Sequence, residues 1–311
     1  MISYLYFYSD SGLSPLLSIA IESCLKNSGE LLLATTNQIY SMLPTHVKNH
    51  ELLNYVNVER QQIYSNPFIC EYLRLIGSGT INSNHPPTEV QCIYRWILLR
   101  DLMSVNQISR TFTFDWDTIL LPGCHEVVAQ QSAGLVMHLN NCDYTHPIFI
   151  LCPHAAIADK DSVSSYVEYL GHYLNLASAR AFLPLYFSDI PPWSSVISRR
   201  ILSGLSVSDW NTVSMPKGFY CCSNFRDDGG ALVPERTQYL VDDKRFNFLP
   251  NGQEYLSVHN YFVECGQVKV RGRSGSYAGT WTAPWIHFSG TEGKYIFFKY
   301  FMEPMKAHGI I

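Results

Sequence analysis

The stretch Thr111-Phe112-Thr113-Phe114-Asp115-Trp116-Asp117-Thr118-Ile119-Leu120-Leu121 sets two carboxylates two residues apart, between a β-branched and aromatic run and a second apolar run. Such side chains favour a pleated, half-buried surface, so Thr111–Phe114 reads as a strand that ends at the acids. Alternate residues of an extended strand share a face, which predicts Asp115 and Asp117 on one side and Trp116 on the other. Two carboxylates on one face suit a hard divalent cation, which takes oxygen ligands and can also hold a diphosphate. The plainer reading of the same residues is an exposed acidic turn.

Upstream, Ile2 to Tyr8 alternates apolar and aromatic residues and reads as a buried first strand. Ser9-Asp10-Ser11-Gly12 is a turn, and Ser14-Pro15 opens a helix with Leu16, Leu17, Ala20, Ile21 and Cys24 on one face. Glu30 to Thr35 is a second strand. This β-turn-α-β opening predicts an α/β fold with a mostly parallel twisted sheet covered by helices. Residues 80–88 read as a loop, followed by an amphipathic helix from about Glu89 to Val105. Ligands of open α/β sheets sit at the carboxyl ends of strands, which is where the acid pair falls.

Downstream, Ala129 to Leu139 and Pro147 to Cys152 contain strand-like runs, and Asp161 to Ala181 reads as a helix. Tyr186 to Trp193 and Trp210 to Pro216 read as loops and short strands, and Arg226 to Pro234 as an exposed turn. No repeat or Gly/Ser linker divides the 311 residues, so one domain is expected over 1–311. Only 15% of residues are charged and the net charge is -4, which argues against nucleic acid as a partner. The 20 Tyr, 16 Phe and 6 Trp pack cores and also line sites for sugars and bases. The nine cysteines are odd in number and show no Cys-x-x-Cys spacing, so neither a disulfide framework nor a zinc ribbon is expected. No apolar run reaches the length of a membrane span, and a cytoplasmic location is expected, with peripheral attachment at the inner membrane face left open.

The acid pair resembles the Asp-x-Asp element of nucleotide-sugar glycosyltransferases of the GT-A fold. The helix Cys92-Ile93-Tyr94-Arg95-Trp96-Ile97-Leu98-Leu99-Arg100-Asp101-Leu102-Met103 before it is similar to the Arg-Trp helix that precedes Asp-x-Asp in such bacterial enzymes. Ser188-Asp189 falls where they carry a mid-chain Ser-Asp pair, and His287-Phe288-Ser289-Gly290 resembles their C-terminal His-x-x-Gly element. In the lipopolysaccharide galactosyltransferase and glycogenin-like group, that His completes the metal shell. Their pattern has a Lys six positions after the His; here Gly293 stands there and Lys294 follows.

The resemblance implies a hexosyltransferase-type enzyme of polysaccharide biosynthesis, moving a sugar from a nucleotide-diphosphate donor, UDP-linked by expectation, to a glycan or lipid-linked saccharide. It implies a nucleotide-sugar-binding half at 1–124 and an acceptor-binding half with the C-terminal metal-ligand segment at 125–311. Asp115, Asp117 and His287 would hold Mn²⁺, or Mg²⁺ with more retained water. Arg95, Asp10 and Lys294 would contact the donor along with Asp115, and Asp189 would orient donor or acceptor, or act as base. Each has a plainer alternative: a packed, hydrogen-bonded His287, a salt bridge for Arg95, and loop or helix capping for Asp189 and Asp10. Two other classes remain. Phe114 to Leu120 also resembles the first motif of haloacid-dehalogenase-like phosphatases, with Asp115 as nucleophile, although Thr118 stands where that family has Gly. A non-catalytic GT-A-like binding module is the third.

Overall fold

β1 (Ile2–Phe7), α1 (Pro15–Asn27) and β2 (Leu31–Thr35) form a βαβ unit, with Ser3 opposite Leu31 and Phe7 opposite Thr35 in parallel register. Pro15 sits in the first turn of α1, where its missing N–H removes no helix bond. The computed structural model describes residues 1–10, 12–83, 85–140, 150–179, 190–209, 225–228, 231–234, 261–264, 266–272, 279–288 and 297–311.

After β2 come the short helices α2 (Asn37–Met42) and α3 (Thr45–Lys48), then β3 (Leu53–Asn57), α4 (Arg60–Tyr64), α5 (Pro67–Gly77) and α6 (Pro86–Val105). β4 (Arg110–Phe114) and β5 (Thr118–Leu120) flank the acid pair. α7 (Cys124–Ala129), β6 (Leu135–Asn140), β7 (Ile150–Asp159), α8 (Lys160–Ser178), α9 (Ile190–Leu202) and β8 (Val207–Asp209) follow. Seven strands make the central sheet in the order β3-β2-β1-β4-β7-β6-β8. Four of its neighbouring pairs are parallel, and β7 runs antiparallel to both β4 and β6. The expected α/β class and mostly parallel sheet flanked by helices are what the structure shows.

Alternation along the strands sorts the core into two layers. Leu5, Phe7, Leu31, Leu33, Phe112 and Phe114 pack under α1 and α7. Tyr4, Tyr6, Leu32 and Ala34 face α5, α6, α8 and α9 on the other side. There Trp96, Tyr166 and Trp193 interlock three helices, with ring centroids 4.8 to 5.9 Å apart. Each such pair adds about 0.5–1.5 kcal/mol beyond area burial. At the end of β7, Asp159 caps α8 by accepting from the Ser162 amide at 2.8 Å, and both its oxygens lie 2.9 Å from Arg200 Nη1.

Several boundaries differ from expectation. α6 starts at Pro86, inside the expected loop, and α9 starts at Ile190 where a loop or short strand was expected through Trp193. In both cases a Pro-Pro pair falls in the first turn, which tolerates missing N–H groups and does not terminate the helix. The expected turn at Arg226–Pro234 is a hairpin of β9 (Phe225–Asp228) and β10 (Ala231–Pro234). β11 (Tyr261–Glu264), β12 (Gln267–Gly272) and β13 (Gly279–Thr282) form a separate antiparallel sheet, and β14 (Trp285–His287) pairs with β5. The Trp210–Pro216 region, Ser188 and Asp189, and Ser289 through Lys294 lie outside the described residues.

Candidate active site

β1 and β4 are adjacent and parallel, so their carboxyl ends open on the same edge of the sheet. The chain leaves β4 at Phe114 and turns through Asp115-Trp116-Asp117, a turn closed by the Thr118 amide bonding to the Asp115 carbonyl at 2.9 Å. Strand alternation is therefore not what gathers the acids; the turn does so. Trp116 also departs from expectation: it lines the same cleft as both acids and meets Phe7 edge-on at 5.1 Å.

β5 resumes directly after Asp117 and pairs antiparallel with β14, setting His287 opposite Thr118. Two further backbone bonds extend this ladder, Phe288 N–H to the Asp117 carbonyl at 2.8 Å and Leu121 N–H to the Pro284 carbonyl at 2.9 Å. Main-chain pairing thus delivers His287 to the acid turn from far along the chain. Its Nε2 lies 3.0 Å from Asp117 Oδ1 and 4.0 Å from Asp115 Oδ2. His287 and Asp117 are buried, 3% and 7% exposed, while Asp115 is partly open.

One ligating atom from each of the three residues falls within a common 4.8 Å span. Ligands of one small divalent cation lie about 2.0–2.2 Å from it, hence about 3–4 Å from each other. The 3.0 and 4.0 Å spacings meet that condition. Carboxylate oxygens with one imidazole suit Mn²⁺, or Mg²⁺ with more retained water, so the donor set fits the expected metal.

The remaining expected residues divide. Arg95, on α6, donates from Nη1 to Asp115 Oδ1, with its guanidinium 4.9 Å from the Trp96 ring centroid. The salt-bridge alternative for Arg95 is thus realised, and its partner is the candidate metal ligand. Asp10, after β1, accepts from the Tyr8 hydroxyl at 2.9 Å and faces Arg60 Nη1 at 3.4 Å. It does not cap α1, whose N-cap is Ser14. Burial and the bond to Asp10 push the Tyr8 hydroxyl up to about 12, so it stays protonated and donates at neutral pH. Asp189 and Lys294 are outside the described residues.

The triad borders a cleft of about 660 Å³ at the ends of β1 and β4. Tyr6, Tyr8, Tyr64, Gln91, Cys92 and Trp116 also line it and were missed in the sequence. A signal existed for three of them. Gln91 stands four residues before Arg95, one helical turn away, and Tyr6 and Tyr8 alternate along the chain that leaves β1 toward Asp10. A second cleft of about 330 Å³ adjoins, floored by Thr36, Asn37, Asn57, Glu59 and Arg60, and shares Tyr8, Ser9 and Asp10 with the first.

No family model and no curated protein matches the chain. Among solved structures it is similar to the galactosyltransferase LgtC in complex with donor and acceptor sugar analogues, at 8% identity over 68% of this chain and 74% of that one, TM-score 0.43. It is similar to mouse xyloside xylosyltransferase 1 in its apo form, at 10% identity over 64% and 82% of the two chains, TM-score 0.40. It is also similar to the PaToxG glycosyltransferase, at 10% identity over 65% and 70%, TM-score 0.40.

Proposed function

We propose that the chain is a metal-dependent glycosyltransferase of the GT-A type, moving a sugar from a nucleotide-diphosphate donor to a glycan or lipid-linked saccharide. The observation that carries this reading is the convergence of Asp115, Asp117 and His287 at a cleft large enough for a nucleotide sugar. In the transfer, the bond from the anomeric carbon to the diphosphate oxygen breaks, and an acceptor hydroxyl bonds that carbon and loses its proton. A divalent cation at the triad supplies Lewis-acid stabilisation of the charge gathering on the departing diphosphate.

The chain's own residues do the rest. Asp115, Asp117 and His287 hold the cation, and Arg95 fixes the Asp115 carboxylate through Oδ1. Asp10, on the rim shared by the two clefts, and Arg60, its partner in the second, are proposed to meet the nucleoside end of the donor. Asp189 is proposed to orient donor or acceptor, or to take the acceptor proton, and Lys294 to contact the diphosphate.

A thermal-shift titration with Mn²⁺ and a panel of nucleoside diphosphates, followed by a donor-hydrolysis screen over their sugars, tests this. Stabilisation that needs both metal and nucleotide is expected. An unchanged melting temperature with every nucleotide, with and without metal, sinks the reading. Phosphomonoester hydrolysis that vanishes in Asp115→Asn replaces it with a phosphatase.

A further inference from the structure

β1 braces α6 from below at two successive turns. The Tyr4 hydroxyl donates to the Arg95 carbonyl at 3.2 Å, and the Tyr6 hydroxyl donates to Gln91 Oε1. Tyr6 is 8% exposed, and burial raises its hydroxyl well above the usual phenol range, so it stays protonated and acts as donor. A carboxamide has one oxygen acceptor and two N–H donors. With Oε1 engaged by Tyr6, the amide orientation is set, and Nε2–H remains as the group Gln91 offers a ligand. Gln91 and Arg95 share one face of α6 and line the cleft together with the metal triad. Side chains one turn apart are separated by about 5–6 Å, comparable with the width of one sugar ring.

From this arrangement we infer that Gln91 is a specificity-determining residue, whose amide N–H groups read a hydroxyl oxygen on the transferred sugar of the nucleotide-sugar donor. The inference rests on the glycosyltransferase reading and assigns a residue that reading leaves unused. Arg95 marks the diphosphate end of the sugar through Asp115, and Gln91 lies one turn away, facing the ring. Tyr6 is a positioning residue that acts through Gln91.

The test compares wild type, Gln91→Leu, Gln91→Glu and Tyr6→Phe, with Mn²⁺, against nucleoside diphosphates and against pairs of nucleotide sugars differing at one hydroxyl. Nucleoside diphosphate affinity is expected to stay unchanged in all variants. In Gln91→Leu, kcat/KM for the preferred sugar is expected to fall about tenfold, and the ratio between epimeric donors to approach unity. Gln91→Glu keeps an acceptor for Tyr6 without the N–H groups, and loses the same discrimination even if Gln91→Leu does not fold. Tyr6→Phe shifts the ratio in the same direction by less. Wild-type turnover with an epimer ratio unmoved in both Gln91 variants overturns the inference and leaves the glycosyltransferase reading standing. Equal losses for nucleoside diphosphate and nucleotide sugar also overturn it, showing a structural role. A wild type that binds no nucleotide under any metal condition overturns the reading, and the inference with it.

Discussion

Asp115 and Asp159 sit at the ends of neighbouring antiparallel strands, one past the end of β4 and the other opposite its start, in register with Arg110. Each pairs with an arginine from a helix, Arg95 or Arg200. At Asp159 both carboxylate oxygens are engaged by protein groups. Its carboxylate caps α8, takes both bonds from Arg200 Nη1, and Arg200 also reaches Ser162 Oγ at 2.7 Å. Gly134 lies so close that a Cβ there would fall 1.9 Å from Asp159 Oδ2. At Asp115 one oxygen meets Arg95, while the other faces His287 at 4.0 Å beside an open cleft. The same kind of ion pair is a structural lock at one end of the sheet and one wall of a cleft at the other. What separates them is what the carboxylate borders: Asp159 caps a helix, and Asp115 lines a cleft that a ligand can enter.

The largest expected effect breaks that contrast on the cleft side. Asp117→Asn keeps the size of the side chain but removes a charged ligand, and transfer or donor hydrolysis is expected to fall on the order of 10³-fold. The melting temperature is expected to move little. Steady-state rates beside a melting curve check this, and full activity in Asp117→Asn rules out the metal role of the triad. Next is a stability comparison by urea unfolding. Arg200→Ala empties a buried site and removes the bonds to Asp159 and Ser162 together, and is expected to cost about 2–4 kcal/mol. Arg95→Ala is expected to cost about 1–2 kcal/mol, because a bond to the Asp115 carboxylate is lost. Equal costs would erase the distinction between the two ends.

The smallest effect comes from a buried group with no charge to pair. Burial pushes the Cys24 thiol from 9.0 up to about 12. As pH rises past the ordinary thiol value the unfolded chain ionises and the folded chain does not, so stability is lost between about pH 9 and about pH 12. Below pH 9 this contribution is complete. Urea midpoints at pH 8 and pH 10 measure it, and Cys24→Ala is expected to flatten the slope. An identical slope in wild type and variant contradicts a dry core at that position.

Much of this architecture is legible in the chain. The stripe from Leu16 to Cys24 and the alternation in β1 follow from local periodicity, and both elements stand where that periodicity puts them. Pro86-Pro87 and Pro191-Pro192 hid the starts of α6 and α9, because proline pairs punctuate loops as readily as they occupy first helical turns. Asp115 and Asp117 were visible as a pair, but the way they meet was not. A turn depends on the strand that follows, and β5 is held by β14 across a long stretch of chain. His287 entered through a resemblance of short motifs, since no local rule ties it to Asp117. Gln91 escaped because its meaning lies in a cross-element bond to Tyr6. Arg95 was singled out as a donor contact, and the partner it meets, Asp115, is set by tertiary geometry.

The ladder between β5 and β14 makes the acid turn depend on a strand from far along the sequence. Without β14 both carboxylates and the Arg95 helix remain, but His287 and the strand that squares the acid turn are lost. Behind that strand Phe288 packs on Phe297 and Phe301, which anchors the residue next to His287. Any cation affinity of the three residues would therefore be a product of tertiary pairing, absent from either segment alone.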